Sequence, residues 1–103
     1  MIRTPEGRIA ATLIMAAKKS GVFIRKLRWE GRLGAPDYIA IHEGKVFFIE
    51  TKAPGELPRR SQVAEFSRLA RAGVPVEVID SATDAVVVIE RIRTWKDNEA
   101  QDT

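Results

Sequence analysis

The chain has no cysteine and one histidine, His42, among its 103 residues. Without thiols there is no disulfide framework and no thiolate metal centre, and without clustered imidazoles a zinc site has no ligands. A cysteine-free chain fits a reducing compartment, so the expected location is cytoplasmic. Long apolar runs are also missing. The stretch Ile9 to Ala17 is far too short to cross a bilayer, and Lys18-Lys19 occupies the place where a secretory leader would carry its small cleavage-site residues. No internal repeat and no linker interrupts the sequence, so residues 1–97 are expected to form a single domain and 98–103 a frayed tail.

What is present is an ordinary globular composition, 45% hydrophobic and 30% charged. The net charge of +3 is unevenly spread: residues 1–60 hold twelve Lys and Arg against six acids, and residues 61–103 hold five against eight. Arg25, Lys26, Arg28, Arg32, Arg59 and Arg60 gather in the basic half. That pattern suits the approach of a polyanion, or equally a solvated surface.

The periodicities give seven elements. Thr4-Pro5 is a helix start, with a hydroxyl cap and proline at the first helical position, and Gly21 is the stop. Ile9, Leu13, Ala16 and Ala17 form the buried stripe of that helix, and Glu6 ends the stripe. Glu6 reads either as an acid favouring the positive helix terminus or as a site residue. Val22 to Trp29 predicts a first strand. Ser61 to Ala72 predicts a second helix, with Phe66, Leu69 and Ala70 on its apolar face and Gln62 one turn earlier on that face. Val74 to Ile79 predicts a strand that Pro75 pushes toward a sheet edge. Ser81 and Asp84 open a third helix bearing Ala85, Ile89 and Ile92, although Val86 to Ile89 is also compatible with a strand.

The most informative segment lies in the middle. Tyr38 to His42 and Val46 to Thr51 are β-rich runs around Glu43-Gly44, a two-residue hairpin loop. With that loop His42 faces Lys45, Ile41 faces Val46, Ile39 faces Phe48, and Asp37 falls opposite Glu50 on one face of the sheet, with Lys52 beside them. A register one residue different would put the two acids on opposite faces. Like charges placed opposite one another call for a cation or a proton between them. Hard oxygen donors point to magnesium or manganese as that cation. Trp29 reads as a base-stacking aromatic or as a core or subunit contact, and His42 as a surface residue.

The order helix with Glu6, strand, Gly34-Ala35-Pro36-Asp37, strand, Glu50-Thr51-Lys52, then a helix opening with Gln62, resembles the PD-(D/E)XK nuclease superfamily. Within it the chain is similar to the stand-alone, phage-type members of the VRR-NUC family, from Glu6 to about Ile92. The resemblance implies an α/β fold with a restriction-endonuclease-like core, a mixed four-stranded sheet flanked by helices in the order α-β-β-β-α-β-α. It implies that Asp37 and Glu50 ligate Mg²⁺ or Mn²⁺, with the carbonyl of Thr51, and that Glu6 reaches the metal, often through water. Lys52 is then the lysine that orients or activates the attacking water, and Gln62 the glutamine beside the site. The activity implied is metal-dependent, structure-specific endonuclease cleavage of branched DNA, Holliday-junction-like or flap, in repair, recombination or phage replication. A homodimer in a bacterial or phage-infected cytoplasm is implied as well, with no organic cofactor and no membrane. Arg25, Arg28, Arg32, Arg59 and Arg60 are the candidate DNA contacts. The alternative is a non-catalytic nucleic-acid-binding module that keeps the nuclease fold.

Overall fold

In a computed structural model of the chain, which describes residues 3–96, the Thr4 hydroxyl accepts a hydrogen bond from Gly7 N at 3.0 Å and starts helix α1, Pro5–Ser20. Gly21, at φ 71°, ends it in the left-handed conformation that costs a side chain most. Strand β1, Phe23–Lys26, follows, then β2, Tyr38–His42, and β3, Lys45–Thr51. Helix α2, Arg60–Arg71, leads into β4, Val76–Ile79, and α3, Ala82–Arg93, closes the fold with the Ser81 hydroxyl capping Asp84 N. Residues 98–103, expected as a tail, lie outside the described residues.

The strands form one mixed sheet in the order β1-β2-β3-β4, antiparallel except for the β3–β4 pair. This is the expected α/β architecture. The hairpin turns on Glu43-Gly44, with φ of 49° and 81°, the two left-handed residues that a tight hairpin turn demands. Its register is the expected one, with His42 opposite Lys45, Ile41 opposite Val46 and Ile39 opposite Phe48. β4 is an edge strand, as Pro75 implies.

Alternation divides the sheet into two faces. Ile24, Tyr38, Ala40, Ile49 and Ile79 point to one face and are buried there. Against them lie Ile9, Leu13 and Ala17 of α1 and Ala85, Val88, Ile89 and Ile92 of α3 in one contiguous cluster. The two helices pack directly on each other. The helical reading of residues 86–89 prevails because Val88 and Ile89 continue the stripe set by Ala85 and Ile92, while Val86 and Val87 stay half exposed. Phe47 joins the cluster edge and meets Trp95 edge to face at 5.8 Å between centroids. Among the described residues no helix is long and apolar enough to cross a membrane.

Three expectations need correction. The first strand stops at Lys26 rather than Trp29, because Lys26 already pairs with the first residue of β2, Tyr38. Leu27 N bonds Asp37 O at 2.8 Å, and next along the partner chain is Pro36, which has no N–H to continue a ladder. The fourth strand begins at Val76 rather than Val74, whose N–H instead bonds Leu69 O and closes the end of α2. The inner face of α2 is not apolar. Its buried residue is Glu65, while Phe66 and Leu69 are half-buried and Ala70 is exposed.

Glu65 anchors the connection between β1 and β2. It accepts from Trp29 Nε1 at 2.9 Å and from Arg68 at 2.9 Å, and Arg32 Nε lies 3.4 Å away. Arg68, with Arg32 and Trp29 after it, holds the Glu65 carboxyl below its ordinary pKa. Trp29 also packs edge to face on Phe48, centroids 6.1 Å apart, so it is a packing residue rather than a free stacking platform. Gly34 completes the junction. At φ 94° its backbone lies so close to α2 that a Cβ there would stand 2.4 Å from Ser61 O. Gly34→Ala is therefore expected to destabilise the protein by more than about 2 kcal/mol, the left-handed penalty plus overlap. Gly44→Ala, where a Cβ meets nothing within 4 Å, should cost only the conformational part, about 1–2 kcal/mol. Chemical denaturation of the two variants checks the ordering.

Candidate active site

β2 begins and β3 ends where each meets a polar side chain of the other. Asp37 sits one residue before β2 and, by continuation of the register, opposite Glu50. The pair is joined through the backbone: Asp37 N donates to Glu50 Oε1 at 3.0 Å, and Thr51 N donates to Asp37 Oδ2 at 3.0 Å. Each carboxylate thus replaces a ladder acceptor where regular pairing stops, which satisfies two backbone donors at the sheet end. The Thr51 hydroxyl adds a 2.8 Å bond to Asp37 Oδ2.

Glu50 is 1% exposed, a costly setting for a carboxylate unless donors surround it. Its Oε2 receives Gln62 Nε2 at 2.7 Å and lies 3.1 Å from Lys52 Nζ. Lys52, itself buried, also donates to Gln62 Oε1 at 2.9 Å. The Gln62 amide oxygen accepts Arg59 N at 2.9 Å as well, so one side chain caps the start of α2 and bridges the ion pair. Burial pushes the Glu50 carboxyl above its ordinary pKa, Asp37 adds to the rise, and Lys52 and Gln62 oppose it.

Glu6, from the first turn of α1, approaches from the opposite face. Its Oε2 lies 3.5 Å from the Thr51 hydroxyl, which makes Thr51 the link between Glu6 and Asp37. The site therefore straddles the end of the sheet, with α1 on one face and α2 on the other. Asp37, Glu50, Thr51, Lys52 and Gln62 are in direct contact through these bonds, and Glu6 joins them through Thr51.

Among the basic residues the outcome is mixed. Arg28, Arg59 and Arg60 are exposed. Arg32 leans on Glu65, and Arg25 stacks over Phe23 at 4.1 Å while donating to the Ile24 carbonyl. Lys26 lies nearest the acids, 3.9 Å from Asp37 Oδ1 and over the Tyr38 ring at 4.9 Å. Burial, with Asp37 and Glu6, pushes the Tyr38 phenol above its ordinary pKa. His42 is half-buried and pairs with Glu43 at 3.9 Å, away from the acids at the turn end of the hairpin. Sequence reasoning missed Glu65, and it had Gly34 only as part of the Gly34-Ala35-Pro36-Asp37 motif, not as a packing position. Glu65 had a signal in its spacing, since it follows Gln62 by one turn on the same face of α2.

Whether these residues suit a divalent ion is a question of donor chemistry. Among the described residues no three acidic, imidazole or thiol side chains gather as a ready cage. Two carboxylates from adjacent strands are nonetheless the donor set Mg²⁺ uses when it keeps several of its waters, and neither oxygen type favours a softer ion. The site fits the ion in that sense. A cavity of about 640 Å³ lies between α1 and α3, lined by Arg8, Met15, Lys19, Val86 and Ile89, and none of the site residues lines it.

No family model matches the sequence. A protein described as "Putative nuclease p44", from Acyrthosiphon pisum secondary endosymbiont phage 1, is 40% identical over 77 residues, covering 74% of this chain and 83% of that protein. A solved structure described as a VRR_NUC domain superposes with a TM-score of 0.78 at 30% identity, covering 91% of this chain and all of the other. With the sheet order and the acids at its end, these likenesses define a nuclease of PD-(D/E)XK-like architecture. The chain belongs to the VRR-NUC family.

The ion pair yields a test with a definite sign. A carboxyl whose folded pKa is raised stabilises the fold most at acid pH and loses that contribution as pH rises through the folded value. Lys52 limits this loss. Lys52→Met is expected to cost about 3 kcal/mol at mildly alkaline pH, where Glu50 is left as an unpaired buried charge. The difference from wild type should close as pH falls and Glu50 takes up a proton. Thermal unfolding of both proteins across the pH range measures it, and a pH-independent difference would contradict the assignment.

Proposed function

We propose that this VRR-NUC nuclease is a DNA endonuclease dependent on Mg²⁺ or Mn²⁺ and that it hydrolyses phosphodiester bonds in branched DNA. The observation that carries the reading is the Asp37–Glu50 pair held across β2 and β3 with the Lys52 ammonium 3.1 Å from Glu50. Asp37 and Glu50 hold the ion, with the Thr51 carbonyl, and Glu6 contributes from α1. The ion supplies Lewis-acid charge and a lowered pKa for water at neutral pH.

The chain's own groups do the rest. Lys52 presents a compact, desolvated positive charge to the attacking water and to the charge that builds on the phosphoryl oxygens in the transition state. Gln62 fixes the direction of that ammonium by accepting one of its hydrogen bonds while Glu50 faces a second, which leaves one donor for substrate. The bonds from Asp37 N and Thr51 N hold both acids in position before substrate arrives, so little reorganisation accompanies the reaction. Arg25, Arg28, Arg32, Arg59 and Arg60 neutralise backbone phosphates and set register without reading bases.

A homodimer suits a substrate with two equivalent strands, since a two-fold axis places two sites on symmetric phosphates. The face of the sheet that carries Glu50 also carries Phe23, Val46 and Val78, each 39–46% exposed, which offers apolar surface to a second copy.

Asp37→Asn and Lys52→Ala are each expected to lower cleavage of synthetic branched DNA at least about 100-fold, the scale seen when one charge-stabilising group is removed. Chelation should abolish cutting and Mg²⁺ or Mn²⁺ restore it. Undiminished cutting by the Lys52 variant would remove Lys52 from the reaction, and tight binding without cutting in any divalent ion would replace this reading with that of a nucleic-acid-binding module. In the same assay, Arg28→Ala and Arg59→Ala should weaken binding across sequences and reduce the salt slope by about one each.

A further inference from the structure

Two leucines stand out on the loops that flank the site. Leu33 and Leu57 are each 80% exposed, the most exposed of the large apolar side chains among the described residues. Single exposed leucines are common and need no explanation by themselves. These two differ because the backbone around each is tied down.

Leu33 lies between Arg32, which leans on buried Glu65 at 3.4 Å, and Gly34, which packs so closely on α2 that no Cβ fits against Ser61 O. Trp29, bonded to the same Glu65, fixes the other side of the loop. Leu57 lies between Glu56, whose N–H closes a turn to Ala53 O at 2.9 Å, and Pro58. Gly55 N is tied to Asp80 Oδ2 at 3.1 Å, which fastens that loop to the end of β4. Both side chains are therefore held outward on braced supports. The cost of ordering the backbone that carries them is already met before anything binds, which leaves only their own rotamers to be fixed on recognition.

Position narrows what they can meet. Leu33 precedes Asp37 by four residues and Leu57 follows Lys52 by five. The chain cannot carry them more than about 14 and 18 Å from those residues, a span of about four or five stacked base steps at 3.4 Å each. Arg32 adjoins one leucine, and Arg59 and Arg60 follow the other. Cations that hold phosphates beside an apolar tip bring that tip to the level of the bases.

We propose that Leu33 and Leu57 are apolar wedges that enter a break in base stacking beside the scissile phosphate, so that the substrate is DNA whose stacking is interrupted within about five base steps of the cut. The proposal rests on the nuclease reading for its cleavage arm and stands separately in its binding arm. An uninterrupted duplex offers the leucines only phosphates and groove edges, whereas a branch point or mismatch offers an unstacked base face at small cost.

The test uses a four-way junction and a linear duplex of the same sequence, with 2-aminopurine at the branch point and at the matching duplex position. Binding of Asp37→Asn protein, which leaves the DNA uncut, should raise the 2-aminopurine fluorescence of the junction. The triple variant Asp37→Asn, Leu33→Ser, Leu57→Ser should bind by anisotropy without that rise. In the active background, Leu33→Ser with Leu57→Ser should lower junction cleavage at least about tenfold, the factor expected when one buried leucine contact is lost, while duplex cleavage stays within about twofold. A fluorescence rise that survives both serines, or no rise on binding, overturns the wedge. Sedimentation that shows the serines splitting a dimer overturns it too, since the leucines would then be subunit contacts. If no DNA is cut by the wild type in any divalent ion, the nuclease reading fails while the fluorescence still decides the wedge.

Discussion

Glu50 is a carboxylate with 1% of its surface exposed, and the local structure is organised around the donors it requires. Asp37 N comes from the chain entering β2, Gln62 Nε2 from the first turn of α2, and Lys52 Nζ from the residue just past the end of β3. Loss of the charge at Glu50 would leave the Lys52 ammonium buried with only Gln62 to face, and loss of Lys52 would leave two acids opposed. The constraint thus acts both ways, and it fixes where β2 begins, where β3 ends and where α2 starts.

Much of this was legible in the sequence because it depended on local rules. The Glu43-Gly44 turn set the register, and the register set Asp37 against Glu50. Glu6 and Gln62 were visible as polar residues at the ends of helical stripes, and Pro75 correctly marked an edge. What could not be read was long-range. The spacing of Glu65 from Gln62 was a hint, but only the arrival of Trp29 and Arg32 from a distant loop makes it an interior anchor. Gly34 was legible as the opening residue of a motif, but its packing role comes from Ser61, far along the chain. The length of β1 was overestimated for the same reason, since a strand ends where its partner ends, and Pro36 ends the partner.

On the function proposed above these features share one purpose. The acids must stand close enough to hold a hard cation and still be tolerated by the fold without it. Here the folded chain satisfies its acids with backbone N–H groups, a threonine hydroxyl, an amide and an ammonium. The same hydrogen bonds that make the acids tolerable to the fold also aim them. Stability and readiness for chemistry are, at this end of the sheet, the same set of contacts.

Both outer strands are short. β1 and β4 span four residues each, β1 carries Arg25 and Lys26, and Pro75 stands at the entrance to β4. Charge, brevity and proline are the features that discourage an unpaired strand from recruiting another chain. The sheet is consequently a poor template for growth by strand addition. A second copy would have to join face to face through side chains, and the chain has little tendency to polymerise into cross-β aggregates.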